Sequence, residues 1–551
     1  MDEHRSFSRV ERLLAPFVWI RAGEGRSVVL MFFSLFILML AYYLLKVIRD
    51  PLILSDGSAE LKSYTTSVQA IILLGVIPLF SKYYYKFSDY NDKSLFLRRV
   101  LLFFVSHLLI FAVAKYAGLP IGIAFYIWLG VFSVTMVALY WAFCADCFNP
   151  MSGKRLFAII AIGGTTGAWV GAQLAGLLYP ILDITGLLML SAILLTTLNF
   201  LIRSSYRAVP ESSKSSSRNK IQTKRHQWWE GFSLFFNSRY LMLIGVFILL
   251  YNWINSIGEY VLAKFVVNQA LQLAEKGSHG EQLYMTEFYS SYIAWFTLIG
   301  LLLQLFVVSR LFRWIGVGAS VFILPFVMVI NYTMILFFPF FTVVKWALIA
   351  ENSVNYSIQN TSRHALFLPV SRDEKYLSKN TTDTFFYRFG DVMSGGSVFI
   401  GVQLFGLGTF EFITFNTILA GICCWTALSI RRHYKLQDNG QVEGRPPELA
   451  LSLQPEQLTA GNKTIVSIPE NTFIDPDPGD MIRYQLKAGD GCELPSWCHF
   501  NHELLTVTFM PPPATDAKLK LVLVATDFAG FEASTDWEVT VKPEVDITEN
   551  T

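Results

Sequence analysis

Residues 28–50 read VVLMFFSLFILMLAYYLLKVIRD. Apolar side chains dominate this stretch as far as Leu45, and about 20 such residues cross the hydrocarbon core of a bilayer as a helix. The stretch then ends with Lys46, Arg49 and Asp50. Ionisable groups inside a membrane segment are costly and are usually functional. The segment therefore predicts a membrane helix that brings charged side chains to its end.

The composition of the whole chain agrees with a membrane protein. Of its 551 residues, 53% are hydrophobic and 16% are charged, whereas soluble domains carry about 25% charged residues. The mean hydropathy is +0.43. These values exclude a soluble enzyme. The formal net charge of +2 gives no sign of a nucleic-acid partner.

Twelve segments have the length and apolar character of membrane helices. They lie at 28–48, 65–81, 100–117, 120–144, 156–178, 182–202, 240–265, 288–308, 316–335, 337–358, 383–405 and 409–430. A Ser-rich basic linker at 204–239 divides them six and six, so we predict two six-helix halves, 28–203 and 240–435, after an N-terminal segment, 1–27. This arrangement predicts an all-α polytopic membrane protein of the major facilitator type.

Basic residues in the short loops predict the orientation, because Lys and Arg are enriched on the cytoplasmic side. They are frequent in the loop 82–99, in the central linker and in the loop 361–380. The opposite side has few, among them Lys62 and Lys115. We therefore expect both the N- and the C-terminus to be cytoplasmic.

Short segments recur in the two halves in the same order. The pairs are Trp141–Asp146 with Trp346–Glu351, Gly171–Gly176 with Gly401–Gly406, and Tyr42–Asp50 with Tyr251–Glu259. Repeats of this kind, with the substrate held between them near the midplane, are typical of secondary transporters. The recurrence therefore predicts duplicated halves.

Nine ionisable residues inside predicted spans are candidates for lining the substrate path. They are Lys46, Arg49, Asp50, Asp146, Glu259, Lys345, Glu351, Arg388 and Asp391. Alternatively, Asp50 and Asp146 lie at helix ends in water, and Arg388 with Asp391 forms a local pair. The basic members favour a small anionic substrate. The acids either pair with these bases in the empty carrier or carry protons.

Other motifs favour packing over chemistry. Two groups of glycines are expected at a moving helix interface: Gly163, Gly164, Gly167 and Gly171, and Gly390, Gly395, Gly396 and Gly401. No glycine loop is followed by Gly-Lys-Ser/Thr, which disfavours ATP hydrolysis. Cys144 and Cys147 lack the second pair that a zinc site needs. We therefore predict a transporter, not an enzyme, with no catalytic residue.

Five segments together resemble the ATP/ADP translocase-like nucleotide transporter family, over roughly residues 20–430. They are Arg49-Asp50, Trp141–Asp146, Lys154–Phe157, Arg363–Pro369 and Ser394–Gly396. The resemblance implies exchange of nucleotides such as ATP and ADP across a bacterial inner membrane without hydrolysis. It places substrate-binding roles on Arg49, Asp146 and Lys379. Asn255 stands where the family tends to carry an acid, with Glu259 one turn later.

The composition changes after Lys435. We predict a linker at 436–459 and a β-sandwich at 460–545, because alternating runs recur between turn residues. This region resembles a cadherin-like domain of the dystroglycan type or an immunoglobulin-like domain. As in cadherins, calcium ligands are expected at Glu470, Asp475, Asp477 and Asp527; turn chemistry explains these residues equally well. No other cofactor is expected.

Three functions stay open at this stage. The first is a carrier of an anionic metabolite, with nucleotides as the best named class. The second is a proton-coupled carrier of another solute, in which Asp146, Glu259 or Glu351 titrates. The third is a transport-inactive receptor or scaffold that acts through the β-sandwich on a protein partner.

Overall fold

The chain, seen in a computed structural model, consists of two compact units, Met1–Lys435 and Leu436–Thr551. The structure describes residues 24–87, 94–148, 150–209, 235–236, 238–276, 280–367, 370, 378–379, 381–441, 446–469, 471–474, 482–489, 494–501, 505–526 and 531–543.

The described part of the first half of the membrane unit contains five helices. They are α1 (Gly25–Asp56), α2 (Ala59–Phe87), α3 (Ser94–Tyr116), α4 (Gly122–Cys147) and α5 (Pro150–Ala208). Helix α5 holds two spans, because Asp183 has φ 55° and ψ −176°, which breaks the helical backbone between them. The described part of this half therefore provides six helical spans.

The second half is more interrupted. Its elements are α6 (Arg239–Glu275), α7 (Glu281–Phe306), α8 (Val308–Ile315), α9 (Val317–Ser320), α10 (Ile323–Phe337), α11 (Phe341–Val354), a π-helical turn (Asn355–Gln359), α12 (Asn360–Ala365), a second π turn (Thr382–Phe386), α13 (Tyr387–Phe399), a third π turn (Ile400–Leu404) and α14 (Thr409–Gln441). All twelve predicted spans fall on these helical segments, so the predicted fold class is confirmed.

Polar residues concentrate in a few of the spans. Eight helical stretches of the described chain are long and apolar enough to cross a membrane by composition. The two segments at 341–365 and 382–404, which contain the π turns, are not among them. They carry Glu351 and Arg388. Because π turns are frequent at functional sites, the irregular spans are the ones to examine for a binding site.

Glycines let helices approach closely within each half. A Cβ atom on Gly163 would lie 2.6 Å from the carbonyl oxygen of Phe32, and one on Gly171 would lie 2.5 Å from that of Leu40. Helices α1 and α5 therefore pack backbone against backbone. In the second half Gly390 of α13 faces the carbonyl oxygen of Leu249 in the same way, at 2.8 Å.

Two details of the repeat differ from the sequence alignment. Gly401, which the alignment pairs with Gly171, faces the ring of Phe412, not a helix backbone. By packing, the counterpart of Gly171 is therefore Gly390. Gly395 meets α2, where its Cβ would lie 2.9 Å from the carbonyl oxygen of Ser63, so this glycine belongs to the contact between the halves.

Among the described helices, four pairs join the halves, and the two most extensive are α2 with α13 and α5 with α7; the others are α1 with α7 and α2 with α6. The Ser67 hydroxyl donates to the carbonyl oxygen of Asp391 at 2.9 Å. Between α5 and α7, the Ser290 hydroxyl donates to the carbonyl oxygen of Ala172 at 2.8 Å. Short polar side chains thus provide hydrogen bonds between the halves at both contacts.

The C-terminal unit is an all-β domain with nine strands in its described residues. They are β1 (Glu448–Leu449), β2 (Glu456–Thr459), β3 (Thr464–Ser467), β4 (Phe473–Ile474), β5 (Arg483–Ala488), β6 (Cys498–Asn501), β7 (Thr506–Phe509), β8 (Ala517–Thr526) and β9 (Glu532–Lys542). One sheet has the order β2-β9-β8-β5, another β3-β7-β6, and β1 pairs with β4. Phe509 and Trp537 pack edge to face in the core, with ring centroids 5.8 Å apart.

Candidate functional site

A polar cavity of about 240 Å³ lies between the two halves of the membrane unit. Its walls come from α1, α2 and α4 on one side and from α6, α7, α13 and the first π turn on the other. Four cations line it: Lys46, Arg49, Lys62 and Arg388. Two acids, Asp50 and Glu259, and seven tyrosines, Tyr42, Tyr126, Tyr260, Tyr289, Tyr292, Tyr356 and Tyr387, complete most of the wall.

Of the four cations of this cavity, Lys46 is the one without an acidic partner among the residues that the structure describes. Its ammonium lies over the rings of Tyr43, Phe296 and Tyr356, at 5.0, 5.5 and 5.5 Å from their centroids. Within the described part of the chain, no carboxylate oxygen lies within 4 Å of it. Aromatic faces attract a cation, but they leave its hydrogen-bond donors available. Lys46 is therefore held in place with its charge uncompensated.

Arg49 and Asp50 form a pair within the C-terminal part of α1, which continues to Asp56. The Arg49 Nε donates to Asp50 Oδ1 at 2.8 Å, and the guanidinium stacks 4.4 Å from the ring centroid of Tyr126. The other oxygen, Asp50 Oδ2, accepts from Lys62 Nζ at 3.2 Å. Asp50 is 4% exposed, so it belongs to a buried ion network and not to a solvated helix end.

Lys62 was missed by the sequence analysis, which placed it in an outer loop. It is 4% exposed and lies within α2, because this helix begins six residues before the predicted span. The backbone N–H of Leu61 donates to Ser58 Oγ at 3.2 Å, which is how a serine caps a helix N-terminus. Ser58 followed by Glu60 was the signal in the sequence that could have extended the helix over Lys62.

Glu259 meets the same lysine from the other half. Its Oε2 lies 3.8 Å from Lys62 Nζ, and its Oε1 accepts from the Tyr292 hydroxyl at 3.0 Å. The repeat aligns Asp50 with Glu259 in sequence. The structure places these two acids against one shared lysine at the boundary between the halves.

Arg388 and Asp391 form the local pair that was one of the alternatives. Their closest charged atoms are 3.6 Å apart, and Asp391 Oδ1 accepts from Ser256 Oγ at 2.7 Å and from Asn252 Nδ2 at 2.8 Å. Arg388 lines the cavity. Its guanidinium lies 5.4 Å from the ring centroid of Tyr387. Asp391 thus anchors a cation that faces the cavity.

The remaining candidates lie at different distances from the cavity. Asn255 lines it, and Glu351 is buried behind Asn255. Lys345 is half-buried beside Phe288, away from the lining. Asp146 is half-buried in α4 and Lys379 is exposed; neither lines the cavity.

Side chains of both halves also meet at one end of the cavity, where α2 and α6 lie together. Glu60 pairs with Lys264, and the Tyr260 hydroxyl donates to Glu60 at 3.1 Å. Nearby, Gln282 Nε2 donates to Ser55 Oγ at 3.1 Å. These contacts close the end at which α1 joins α2 and α6 joins α7.

The motif that begins at Arg363 lies at the other end of the second half. Arg363 donates to the Tyr251 hydroxyl at 3.0 Å and lies 3.6 Å from Asp383. This arginine is thus held by its own half. The end of the motif, at 368–369, lies outside the described residues.

The predicted calcium ligands cannot be placed, since Glu470, Asp475, Asp477 and Asp527 all lie outside the described residues. Within the described part of this domain, Cys498 is a buried free thiol. Its pKa is raised to about 11 by burial.

Comparison with solved structures identifies the architecture of the membrane unit. The chain superposes on a bacterial homolog of the human lysosomal transporter Spinster, in an inward-facing and unoccupied conformation, with a TM-score of 0.53 and 11% identity over 76% of this chain and 99% of that one. For a mutant of the nucleoside transporter NupG the TM-score is 0.51, with 14% identity over 75% and 99%. For the POT family transporter PepTSo it is 0.50, with 13% identity over 75% and 99%.

The sequence comparisons concern the C-terminal unit. No curated protein sequence matches the chain. Residues 446–542 match the family model described as "Putative Ig domain", which favours the immunoglobulin-like reading of the β-sandwich. The chain is thus a multi-pass membrane protein with the fold of major facilitator-type secondary transporters, followed by an immunoglobulin-like domain.

Proposed function

We propose that the membrane unit is a secondary transporter that moves an anionic solute through the cavity between its halves. The observation that supports this proposal best is Lys46. A cation at membrane depth is costly unless it is paired or serves a ligand. Asp50 and Glu259 lie against Lys62 instead, so an anionic substrate would supply the missing partner of Lys46.

We further propose nucleotides as the substrate class. Lys46 and Arg388 provide charge for phosphate oxygens. Next to them, tyrosines line the cavity, among them Tyr356 and Tyr387, and aromatic side chains suit contact with a planar base. The resemblance to ATP/ADP translocase-like carriers adds support and suggests exchange across a bacterial inner membrane, with both termini in the cytoplasm.

The test is counterflow by the full chain reconstituted in liposomes. Vesicles are loaded with unlabelled ADP, and entry of labelled ATP is measured. We expect the Lys46→Gln variant to lose at least tenfold in transport, because the substrate would lose its unshared cation. Lys345→Gln is the matched control, since Lys345 is a half-buried lysine outside the cavity; it should keep transport near the level of the wild type.

Two results would contradict the proposal. Equal activity of the Lys46→Gln and Lys345→Gln variants would remove Lys46 from the substrate path. Absence of counterflow with nucleotides and with other small organic anions would contradict the proposal that the protein transports anions. A chain truncated after Lys435 then tests the receptor alternative. A receptor that acts through the C-terminal unit would lose its function in this chain, whereas a carrier would keep it.

A further inference from the structure

Glu351 lies in α11 behind the cavity and is 0% exposed. Its Oε1 has two distant donors, Asn255 Nδ2 at 3.5 Å and the Tyr332 hydroxyl at 3.4 Å. Its Oε2 is buried without a hydrogen-bond partner in the described structure. A carboxylate would need short, charge-assisted bonds in this place, and none of its contacts is short.

The charges around Glu351 also oppose ionisation. Among the described residues, no Lys, Arg or His nitrogen lies within 4 Å of its oxygens. The ionisable groups that face it are Glu259 from α6, Tyr292 from α7 and Tyr332 from α10. None of these can neutralise a carboxylate, and Glu259 would repel one. An isolated buried charge is strongly unfavourable, and such a group becomes neutral instead.

Asp391 provides an internal comparison. It is also a buried acid of the same half, at 8% exposure, but it has Arg388 at 3.6 Å and two short donors in Asn252 and Ser256. Those contacts are the ones a carboxylate requires. Glu351 is more deeply buried and lacks such contacts among the described residues, so the two acids should differ in protonation.

A proton on Glu351 would also correct the balance of donors and acceptors around Tyr332. Asn416 Oδ1 is buried without a partner, like Glu351 Oε2. The Asn416 amide donates instead to the carbonyl oxygen of Ile254, at 2.9 Å, and the Tyr332 hydroxyl lies 3.5 Å from the same carbonyl. Two buried oxygen atoms in this region, Glu351 Oε2 and Asn416 Oδ1, therefore lack a donor among the described residues. A proton on Glu351 turns one of these acceptors into a donor.

We propose that Glu351 is a proton-binding site that makes transport proton-coupled. In the conformation described here Glu351 is a neutral carboxylic acid. When the halves rearrange and water reaches it, the O–H bond breaks, the proton passes to water and a carboxylate remains. Asn255 contacts Glu351 and also lines the cavity. Water therefore reaches Glu351 from the cavity, past Asn255. The coupling rests on the proposed anion transport, whereas the protonation of Glu351 does not.

Difference infrared spectroscopy, in which the spectrum of each purified full-length variant is compared with that of the wild type, tests the protonation of Glu351 without any substrate. At neutral pH we expect the C=O stretching band of a buried carboxylic acid in the wild type and its loss in Glu351→Gln. Asp391→Asn is the control and should keep the band. A band that survives in Glu351→Gln would overturn the assignment. If that variant does not fold, Glu351→Asp serves instead, and an unshifted band would count equally against Glu351.

The coupling is tested by measuring the uptake of labelled ATP into liposomes that contain the protein, under an imposed pH gradient. We expect the wild type to accumulate label along the proton gradient. Glu351→Gln should keep counterflow but lose gradient-driven accumulation by at least tenfold. Accumulation by Glu351→Gln equal to that of the wild type, or wild-type transport indifferent to the gradient, would overturn the coupling. If no anion is transported at all, the proposed function fails while the infrared result still decides the proton site.

Discussion

Lys62 and Glu259 lie on different halves of the membrane unit, and their charged atoms approach to 3.8 Å. The same ammonium donates to Asp50 at 3.2 Å. The contact with Asp50 is buried on both sides, whereas the Glu259 side chain is 28% exposed, so the contact with Glu259 is the more accessible of the two. Lys62 therefore joins the two acids that the repeat aligns, Asp50 and Glu259, and the pair Glu60–Lys264 is a second charge contact between the halves. A rearrangement of the halves would separate Lys62 from Glu259 while leaving it on Asp50.

Removal of Lys62 should destabilise the membrane unit. The Lys62→Met substitution leaves Asp50 with Arg49 alone and leaves Glu259 without a cation. Breaking a buried pair by removing one partner costs about 3–5 kcal/mol. We expect a lower thermal unfolding midpoint of the purified chain in detergent and loss of counterflow.

A double-mutant cycle separates this contact from general damage. Glu259→Gln is combined with Lys62→Met, and the coupling energy is obtained from the four unfolding free energies. A contact across the halves predicts that the double variant loses less than the sum of the single variants. Strict additivity would show that the two residues do not interact.

Because α1 and α5 pack closely, we predict that Gly171 cannot be replaced by a larger residue without loss of stability. A Cβ there would lie 2.5 Å from the backbone carbonyl oxygen of Leu40, which cannot rotate away as a side chain would. Overpacking of this kind costs about 1–3 kcal/mol. We expect Gly171→Ala to lower the unfolding midpoint and to slow transport.

Gly396 supplies the matched control for that substitution. It lies in a membrane helix too, but nothing lies within 4 Å of its added Cβ. Gly396→Ala should therefore leave the unfolding midpoint unchanged or raise it slightly, because Ala favours the helix. A Gly171→Ala variant as stable as Gly396→Ala would disprove the close contact between α1 and α5.

Burial of Cys498 predicts slow alkylation and a loss of stability in alkali. The thiolate is the reactive form, and with a pKa of about 11 only about one thiol in a thousand is ionised at pH 8. The unfolded chain, with an ordinary thiol pKa of about 8.5, loses its proton first. Stability of the domain should therefore fall as the pH rises from about 8.5 towards 11.

Peptide-level mass spectrometry after iodoacetamide treatment measures this reactivity. In the native chain at pH 8 the peptide with Cys498 should react many times more slowly than after denaturation. For the pH dependence, Cys498→Ala removes the titrating group and should flatten the alkaline decline. Equal alkylation rates in the native and denatured chain would mean that the thiol is not buried.

The helical spans and the β-domain could be predicted from the sequence, because both depend on local patterns. Apolar stretches of about 20 residues require helices in a bilayer, and alternation between turns requires strands. The charged candidates at the end of the first span, Lys46, Arg49 and Asp50, were identified for the same reason. Helix α2 was predicted too short because hydropathy does not detect a polar first turn, and this error hid Lys62.

The roles of the charged residues depend on tertiary structure. The sequence has Arg49 next to Asp50, and the structure adds Lys62 and, across the halves, Glu259. Lys46 is without an acidic partner among the described residues because the acids near it in sequence point to other cations. Glu351 and Asp391 are both acids in membrane spans, yet within the described part of the chain only Asp391 has a base beside it. Amino-acid type and local periodicity determine which groups lie in the membrane. Their charge and partners follow from contacts between distant helices, which a linear pattern does not contain.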